Sequence, residues 1–461
     1  YLFMDNLLRI EKDSIGDIEV PSNALWGAQT QRSLINFSIG DDLIPLEIIY
    51  ALAQIKKAAA TVNHRLGVLD EERKNLIIEA SEEIAIGLHN NQFPLKVWQT
   101  GSGTQTNMNI NEVISNIASK KQNQPCGSHN PLHPNDHVNR SQSTNDVFPA
   151  AIHIATLKKI IHTLLPEVKL LIKAFAKKSS EWDEIIKIGR THLQDAVPLT
   201  LGQEASAWRD QLSVAQERLE SSIKELYALP LGGTAVGTGL NAPLHYDNEI
   251  ANELSELIGL PFTTAKNKFA IMASHDGLVN IMGQLKMLAI SLLKIANDLR
   301  LLSSGPRAGI AELELPANEP GSSIMPGKIN PTQCEAMTMV CTQVIGMDTA
   351  VSIAGSGGHL QMNAYKPLIG LNLIKSIQLL HDSCFSFRTA MVEGIKPNRN
   401  KIHKDLEQSL MLVTALTPQI GYKKASEIAN LAHKKNISLR QASEELGYIS
   451  SSTFDKIVDP K

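Results

Sequence analysis

The feature that most limits the possible folds is one long apolar stripe between residues 276 and 302. Apolar side chains recur there at spacings of three and four residues, over about seven turns of helix. The segment SSGPR follows, and its glycine–proline pair predicts the end of the helix. A helix of this length needs partners for its apolar side, so the sequence predicts a helical bundle. The stripe consists of Leu278, Ile281, Met282, Leu285, Leu288, Leu292, Ile295, Leu299 and Leu302.

Three further stretches carry a helical pattern. One occupies 152–175, where Pro166 is predicted to kink or interrupt the helix. A more polar one occupies 202–228, and another runs from Pro331 to the GSGGH cluster at 355–359. Patterns typical of strands are few, and the candidates are DIEVPS near the N-terminus and LELP at 313–316.

The distribution of these patterns predicts three domains. Residues 1–140 mix shorter helices with polar loops, and 141–360 hold the long helices. Beyond about 360, shorter helices and turns predict a small C-terminal domain at 361–461. A chain of 461 residues is long enough for two or three such domains.

Charge and composition exclude several classes of protein. The net charge is −3, which gives no electrostatic basis for binding nucleic acid. No uninterrupted apolar run approaches the roughly 20 residues of a membrane span, and the N-terminal segment has no signal-peptide pattern. The four cysteines form no C-x-x-C pair, which argues against a zinc ribbon and is typical of reduced thiols in a cytoplasmic protein.

Four polar segments interrupt the helical patterns. They supply hydroxyls, amides and exposed backbone N–H groups, which suit small anions. Because they lie far apart in a helical protein, we expect them to converge on one site. Taken singly, each serine or threonine can equally be a local backbone cap. The segments are TGSGTQTNMN (100–109), HPNDHVNRSQSTND (133–146), GRTHLQDAVPLTLGQE (189–204) and GSSIMPGKINPTQ (321–333).

The last of these segments and its continuation, GSSIMPGKINPTQCEAM, resemble the signature of the fumarase/aspartase superfamily. The PGKxNPTQCEA form looks like that of the class II fumarases, and the other three segments match the family in the same order. The resemblance implies an all-α fold of three domains with a central bundle of five long helices. It further implies a homotetramer with a twenty-helix core, in which each active site draws loops from three subunits.

The resemblance implies reversible hydration of fumarate to (S)-malate, a step of the tricarboxylic acid cycle, without metal or other cofactor. Dehydration removes a proton beside a carboxylate and creates a doubly charged aci-carboxylate, so a base and fixed donors are required. By resemblance Ser322 is that base. A serine is plausible only if its alkoxide is stabilised, here by Lys328 and by backbone N–H groups of Gly321, Ser323 and Gly327.

Other roles follow from the same resemblance. His192 and Glu335 are expected to pair and to activate the water that adds to C2, because a carboxylate fixes the tautomer of an imidazole. His133, Pro134, Asn135 and Asp136 match a second anion site, although a basic residue common in relatives is missing before them. The expected substrate-binding residues are Ser102, Gly103, Thr104, Ser143, Thr144, Asn145, Thr191, Ser323, Lys328 and Asn330.

Two alternatives remain open alongside hydration. An aspartate ammonia-lyase would share the fold, but such relatives tend to have Gln in place of His192 and PAK in place of PGK. A non-catalytic structural protein on the same scaffold would not need the four residues Ser322, Lys328, His192 and Glu335 together. A metal site at His129, His133 and His137 is rejected, because Pro131 and Pro134 prevent a continuous helix there.

Overall fold

The computed structural model describes residues 7–321 and 323–458 and is dominated by helices. The described part contains 17 α-helices. In chain order they are α1 (Ala28–Asn36), α2 (Leu46–Arg65), α3 (Glu71–Ala85), α4 (Thr104–Lys121), α5 (Thr144–Lys159), α6 (Leu165–Glu181), α7 (Leu201–Ser222), α8 (Tyr246–Ile258), α9 (Lys268–Ala273), α10 (Asp276–Leu302), α11 (Thr332–Ser356), α12 (Lys366–Ala390), α13 (Arg399–Gln408), α14 (Thr417–Ile420), α15 (Tyr422–Lys435), α16 (Leu439–Leu446) and α17 (Ser451–Ile457).

The strands are short and form five two-stranded sheets among the described residues. Four pairs, β1–β2, β3–β4, β7–β10 and β8–β9, are antiparallel, and β5–β6 is parallel. The strands are β1 (Leu8–Lys12), β2 (Asp17–Pro21), β3 (Ile186–Thr191), β4 (Gln194–Thr200), β5 (Ala228–Leu229), β6 (Thr263–Thr264), β7 (Leu313–Glu314), β8 (Gly358–His359), β9 (Met362–Asn363) and β10 (Lys396–Pro397).

The four long helical patterns of the sequence are confirmed. The predicted stripe of 276–302 lies on α10, and all nine of its residues are buried. The pattern after Pro331 is α11, and the polar pattern is α7. At 152–175 the helix is interrupted as predicted, because a π-helical turn at Ile160–Leu164 ends two residues before Pro166. Both candidate strands are also present, as β2 and β7.

Two parts of the chain differ from the sequence-based expectation. The segment 366–390 was expected to contain only shorter helices and turns, and it forms the 25-residue helix α12. Pro367 is tolerated there because it lies in the first turn, where its missing N–H has no intrahelical partner to lose. The segment at 189–204 was expected to be a loop, and it forms most of the β3–β4 hairpin and the start of α7.

The chain divides into two compact units, each formed from three separated parts. The first comprises residues up to Leu165, Glu217–Met287 and Gln343–Leu380, and in it α2 packs against α3, α5 and α8. The second comprises Pro166–Gln216, Leu288–Thr342 and residues from His381 onwards. Its C-terminal part has a small core of its own, formed by Val413, Leu416, Ala425, Ile428, Ala432, Leu439, Ala442 and Phe454. The division into three domains stays a prediction.

Two of the long helices, α10 and α11, have apolar side chains on their exposed sides as well as on their buried sides. By length and composition alone, α10 and α11 could cross a membrane, a test that core helices of other proteins also pass. In one chain, the most apolar 18-residue stretch is only 44% buried in α10 and 33% buried in α11. The exposed large apolar residues on α10, α11 and α12 are Met287, Ile290, Leu301, Met339, Ile353 and Phe385.

Candidate active site

The segment at 100–109 leads into α4 and places two hydroxyl groups at the N-terminus of that helix. Gly103, just before the helix, has a φ of 82°, a conformation that glycine adopts without steric cost. The Oγ atom of buried Ser102 lies 2.8 Å from Oγ1 of Thr104. The first turn of α4 contains no acidic residue, so its partial positive charge favours an anion.

The polar residues before α5 are brought next to α4. The Asn107 side chain donates a hydrogen bond of 3.0 Å to Oγ1 of Thr144. Gly103 also approaches α5 closely, since an added Cβ there would lie 2.7 Å from the Phe148 ring. The structure therefore brings together the predicted binding residues of two distant segments, Ser102, Gly103, Thr104, Ser143, Thr144 and Asn145.

A third segment, which the sequence analysis did not single out, joins this group. The buried carboxylate of Asp146 accepts hydrogen bonds from the backbone N–H groups of Gly232 (3.0 Å), Thr234 (2.9 Å) and Ser143 (3.0 Å). The Asn145 side chain donates to the carbonyl oxygen of Ala235 at 2.8 Å. The glycine-rich string GGTAVGTG at 232–239 was the available signal, because such strings allow close backbone approach.

Two buried charged side chains, Lys56 and Asp146, lie next to these polar residues. Lys56 is fully buried, and its ammonium group donates to the side-chain oxygens of Asn139 and Gln142, both at 3.0 Å. Burial lowers the pKa of Lys56 to about 7 and raises the pKa of Asp146 to about 7, because both lose hydration. Each charge partly offsets the shift of the other.

The predicted second anion site lies beside a cavity of about 230 Å³ with acidic walls. Glu11, Asp13 and Glu112 line it together with His133 and Asn135. Nδ1 of His133 accepts hydrogen bonds from the backbone N–H groups of Asn135 and Asp136, both at 3.2 Å. Lys12 also lines the cavity, so its walls contain three carboxylate residues and one lysine. The second anion site stays a prediction.

Residues 323–331 form a loop before α11. The sequence Met325-Pro326-Gly327-Lys328 has Pro and then a Gly with φ 80°, as in a type II turn, and the Lys328 N–H donates to the Met325 carbonyl. The Asn330 side chain donates to the carbonyl oxygen of Gly321 at 2.6 Å.

This loop presents part of the predicted catalytic machinery to solvent. Ser323 and Lys328 are exposed. Ser322, the predicted base, lies outside the described residues. Glu335, in the first turn of α11, is also exposed.

Thr191 and His192 lie at the tip of the β3–β4 hairpin. Thr191 pairs with Gln194, which leaves His192 and Leu193 as a two-residue turn with φ values of 56° and 60°. His192 is exposed, and within one chain no hydrogen bond or ion pair joins it to Glu335 among the described residues. The pairing of these two side chains stays a prediction.

Comparisons with known proteins agree over nearly the whole chain. A lyase family profile matches residues 16–346, and a profile for the fumarase C C-terminus matches 412–461. A class II fumarate hydratase of Prochlorococcus marinus (strain MIT 9313) is 68% identical over 99% of this chain and 98% of its own. One of Thermosynechococcus vestitus is 54% identical over 98% and 96%, respectively.

The chain belongs to the class II fumarate hydratase family.

Solved structures of this family have the same fold. The class II fumarase of Schistosoma mansoni matches with a TM-score of 0.96 at 44% identity, over 98% of both chains. A fumarate lyase:delta crystallin of Brucella melitensis, solved with bound cobalt, matches with a TM-score of 0.95 at 42% identity, over 98% and 99%. The predicted fumarase/aspartase fold is therefore confirmed, and this member of the class II fumarate hydratase family is an enzyme of the lyase class.

The described part of the chain contains no cluster of side chains that could bind a metal ion. Among residues 7–321 and 323–458, no group of three or more His, Cys, Asp or Glu side chains is arranged to hold an ion. The rings of His129 and His133 lie edge to face with centroids 4.8 Å apart, and His137 accepts a hydrogen bond from the His133 N–H.

Proposed function

We propose that the chain interconverts fumarate and (S)-malate in the tricarboxylic acid cycle. The observation that supports this most strongly is the meeting of the N-termini of α4 and α5, which places hydroxyl and amide groups around one space. Neutral donors at helix N-termini bind a small dianion without the tight ground-state binding that several arginines would give. The relatives named class II fumarate hydratase, 54–68% identical, support the same reaction.

In the proposed mechanism Ser322 removes the proton from C3 of malate. Its hydroxyl is a weak acid, so the alkoxide must be stabilised by a nearby positive charge or by N–H groups. Lys328 supplies the charge, and Gly327, with its positive φ, allows the backbone to turn tightly beside it. The same donors stabilise the additional negative charge on the carboxylate as the aci-carboxylate forms.

His192 and Glu335 handle the water at C2 in this proposal. Glu335 fixes the tautomer of the imidazole, and the imidazole then protonates the departing hydroxyl or activates the incoming water. We place this step in the shared site of the proposed tetramer, because no hydrogen bond or ion pair joins the two side chains within the described part of one chain. The remaining carboxylate contacts are proposed for Ser102, Gly103, Thr104, Ser143, Thr144, Asn145, Thr191, Ser323 and Asn330.

We propose a homotetramer built on the long helices. Met339 and Ile353 on α11 are 68% and 65% exposed in one chain, and Ile290 on α10 is 42% exposed. Apolar side chains on the outer side of a long helix are costly in water and are typical of a face that another helix covers.

The four cysteines are free thiols, in keeping with a cytoplasmic location.

The deciding experiment measures fumarate formed from malate by its ultraviolet absorbance, with aspartate as the control substrate. Turnover of malate and not of aspartate is expected, because His192 and Gly327 differ from the ammonia-lyase pattern. Turnover of aspartate alone would favour the ammonia-lyase, and turnover of neither would favour a non-catalytic role.

Two variants test the assigned roles. Ser322→Ala is expected to remain a folded tetramer by light scattering while losing nearly all turnover, and near-normal turnover would remove the serine from the mechanism. His192→Asn is expected to slow hydration strongly while substrate still binds. An unchanged rate would argue against its role in activating water.

A further inference from the structure

A cluster of four charged side chains lies at the base of the hairpin that carries His192. Glu312 is completely buried, and its carboxylate binds Nζ of Lys187 at 2.7 Å and a guanidinium nitrogen of Arg190 at 2.7 Å. Lys187 also binds Glu204 at 2.9 Å, so two positive and two negative charges are matched. Charges this deeply buried are costly unless they are paired, so removal of one partner has large effects.

Glu312 is held in place independently of the hairpin. Its backbone N–H donates to the carbonyl oxygen of Leu302 at 2.9 Å, and its own carbonyl accepts from the Asn398 N–H at 2.8 Å. The next two residues form β7, which pairs with β10. The carboxylate is therefore a fixed point that the hairpin can be attached to.

The hairpin is irregular between the two residues that contact Glu312. The pairing register shifts between Ile188 and Arg190, where two residues of β4 face only Gly189. Such an irregularity increases the local twist and weakens the ladder. Lys187 lies before this irregularity in β3 and Arg190 lies after it. The two ion pairs therefore bind both parts of the strand to the Glu312 carboxylate.

The turn beyond Arg190 is strained. Both turn residues, His192 and Leu193, have positive φ values of 56° and 60°, as in a type I′ turn. Such turns favour Asn and Gly, whereas a leucine in this conformation is disfavoured sterically. Leu193 is 65% exposed, so packing around its side chain does not compensate for the strain. Strained residues persist only where the surrounding structure holds them, and here that restraint comes from the hairpin base.

We propose that Glu312 is a positioning residue for His192 and acts through Arg190 and Lys187. The ion cluster fixes the base of the hairpin, and the short strand ends at Thr191 and Gln194 transmit that position to the strained turn. The backbone that carries the imidazole is thereby held in one position for the water at C2. This inference rests on the proposed role of His192 in hydration.

A matched pair of variants separates positioning from stability. Arg190→Gln breaks the contact with Glu312. Arg388→Gln breaks the ion pairs of a similarly buried guanidinium with Glu167 and Glu393, both 2.6 Å long. Both variants are expected to lose comparable thermal stability. Only Arg190→Gln is expected to lower kcat, by about 100-fold with KM nearly unchanged, because a displacement of about 1 Å in a reacting group has that effect.

Relief of the turn strain provides the second arm. Leu193→Gly removes the side chain that makes φ 60° sterically unfavourable. The turn can then keep its shape without the contact between Arg190 and Glu312. In the Arg190→Gln background, Leu193→Gly is expected to restore much of the lost kcat. Arg190→Lys keeps the charge and is expected to retain more turnover than Arg190→Gln. It also serves as the test variant if the glutamine variant does not fold.

Hydrogen–deuterium exchange of the peptide spanning 188–195 gives a readout that does not depend on turnover. Exchange there is expected to quicken in Arg190→Gln and to remain unchanged in Arg388→Gln. Equal losses of kcat in the two variants, or unchanged exchange in the hairpin, would overturn the inference. If the unmodified enzyme does not hydrate fumarate, the proposed function fails, and the exchange experiment still decides whether the cluster holds the turn.

Discussion

A single methyl group at Gly101 tests whether the loop before α4 is held in place by the backbone of a distant segment. An added Cβ at Gly101 would lie 1.5 Å from the carbonyl oxygen of Ala364 and 2.3 Å from its carbonyl carbon. Real Cβ atoms essentially never come within 3.0 Å of another heavy atom, so Gly101→Ala must separate the two backbones by about 1.5 Å.

The segment on the other side of this contact cannot easily move. Buried Asn363 donates to the Ala354 carbonyl at 2.8 Å and accepts from the Tyr365 N–H at 2.8 Å. Buried Lys366 donates through Nζ to the Asn363 carbonyl at 2.8 Å, and its backbone N–H donates to the Gly101 carbonyl at 3.0 Å. We therefore expect the loop that carries Ser102 to shift instead.

The expected result of Gly101→Ala is a loss in kcat/KM of about 100-fold, because a displacement of about 1 Å near the substrate costs that much. Overpacking should also cost about 1–3 kcal/mol of stability. The assay is the absorbance of fumarate formed from malate, with thermal unfolding measured in parallel. Gly358→Ala is the control, because its nearest neighbour, the Ala273 carbonyl oxygen, lies 3.4 Å away. A Gly101→Ala enzyme with kcat/KM within about twofold of the parent would refute this reasoning.

The remaining predictions concern stability, binding and metal. Burial lowers the pKa of His153 to about 4. As pH falls below 6.5, His153 therefore becomes protonated in the unfolded chain while it stays neutral in the folded chain. Stability should therefore be complete above pH 6.5 and fall by about 1.4 kcal/mol per pH unit towards pH 4. His153→Gln, compared with exposed His403→Gln, should remove this part of the acid sensitivity in unfolding measurements, and an unchanged pH dependence would contradict it. Asp146→Asn leaves one acceptor oxygen for three backbone N–H groups, which should cost about 2–4 kcal/mol and raise KM for malate. The exposed control Asp210→Asn should have neither effect, and equal KM values would show that Asp146 does not support the binding loop. Dialysis against a chelator, followed by addition of cobalt, should leave turnover unchanged, because the proposed mechanism uses Ser322, Lys328 and His192 and no metal. Loss of turnover that cobalt restores would establish a metal requirement.

The sequence by itself determined the local elements whose information lies within one segment. The stripe on α10 repeats at helical spacing, so burial of all nine residues followed directly. The start of α11 after Pro331 and the strands β2 and β7 are encoded in the same local way. The long polar segments also carried the family resemblance, which the matches over 98–99% of the chain confirmed.

The tertiary structure decided what depends on partners that are distant in sequence. The β3–β4 hairpin has no Asn-Gly turn, and Pro198 lies within β4, so no local signal predicted it. In α12, the missing side chain of Gly370 makes room for Ile48, since an added Cβ would lie 2.8 Å from that residue. The contact of Gly101 with Ala364 and the binding of Glu312 to the hairpin join segments more than 100 residues apart. Spacing within one segment cannot encode such contacts, because they are chosen only when the whole chain packs and each buried charge or backbone group must find a partner.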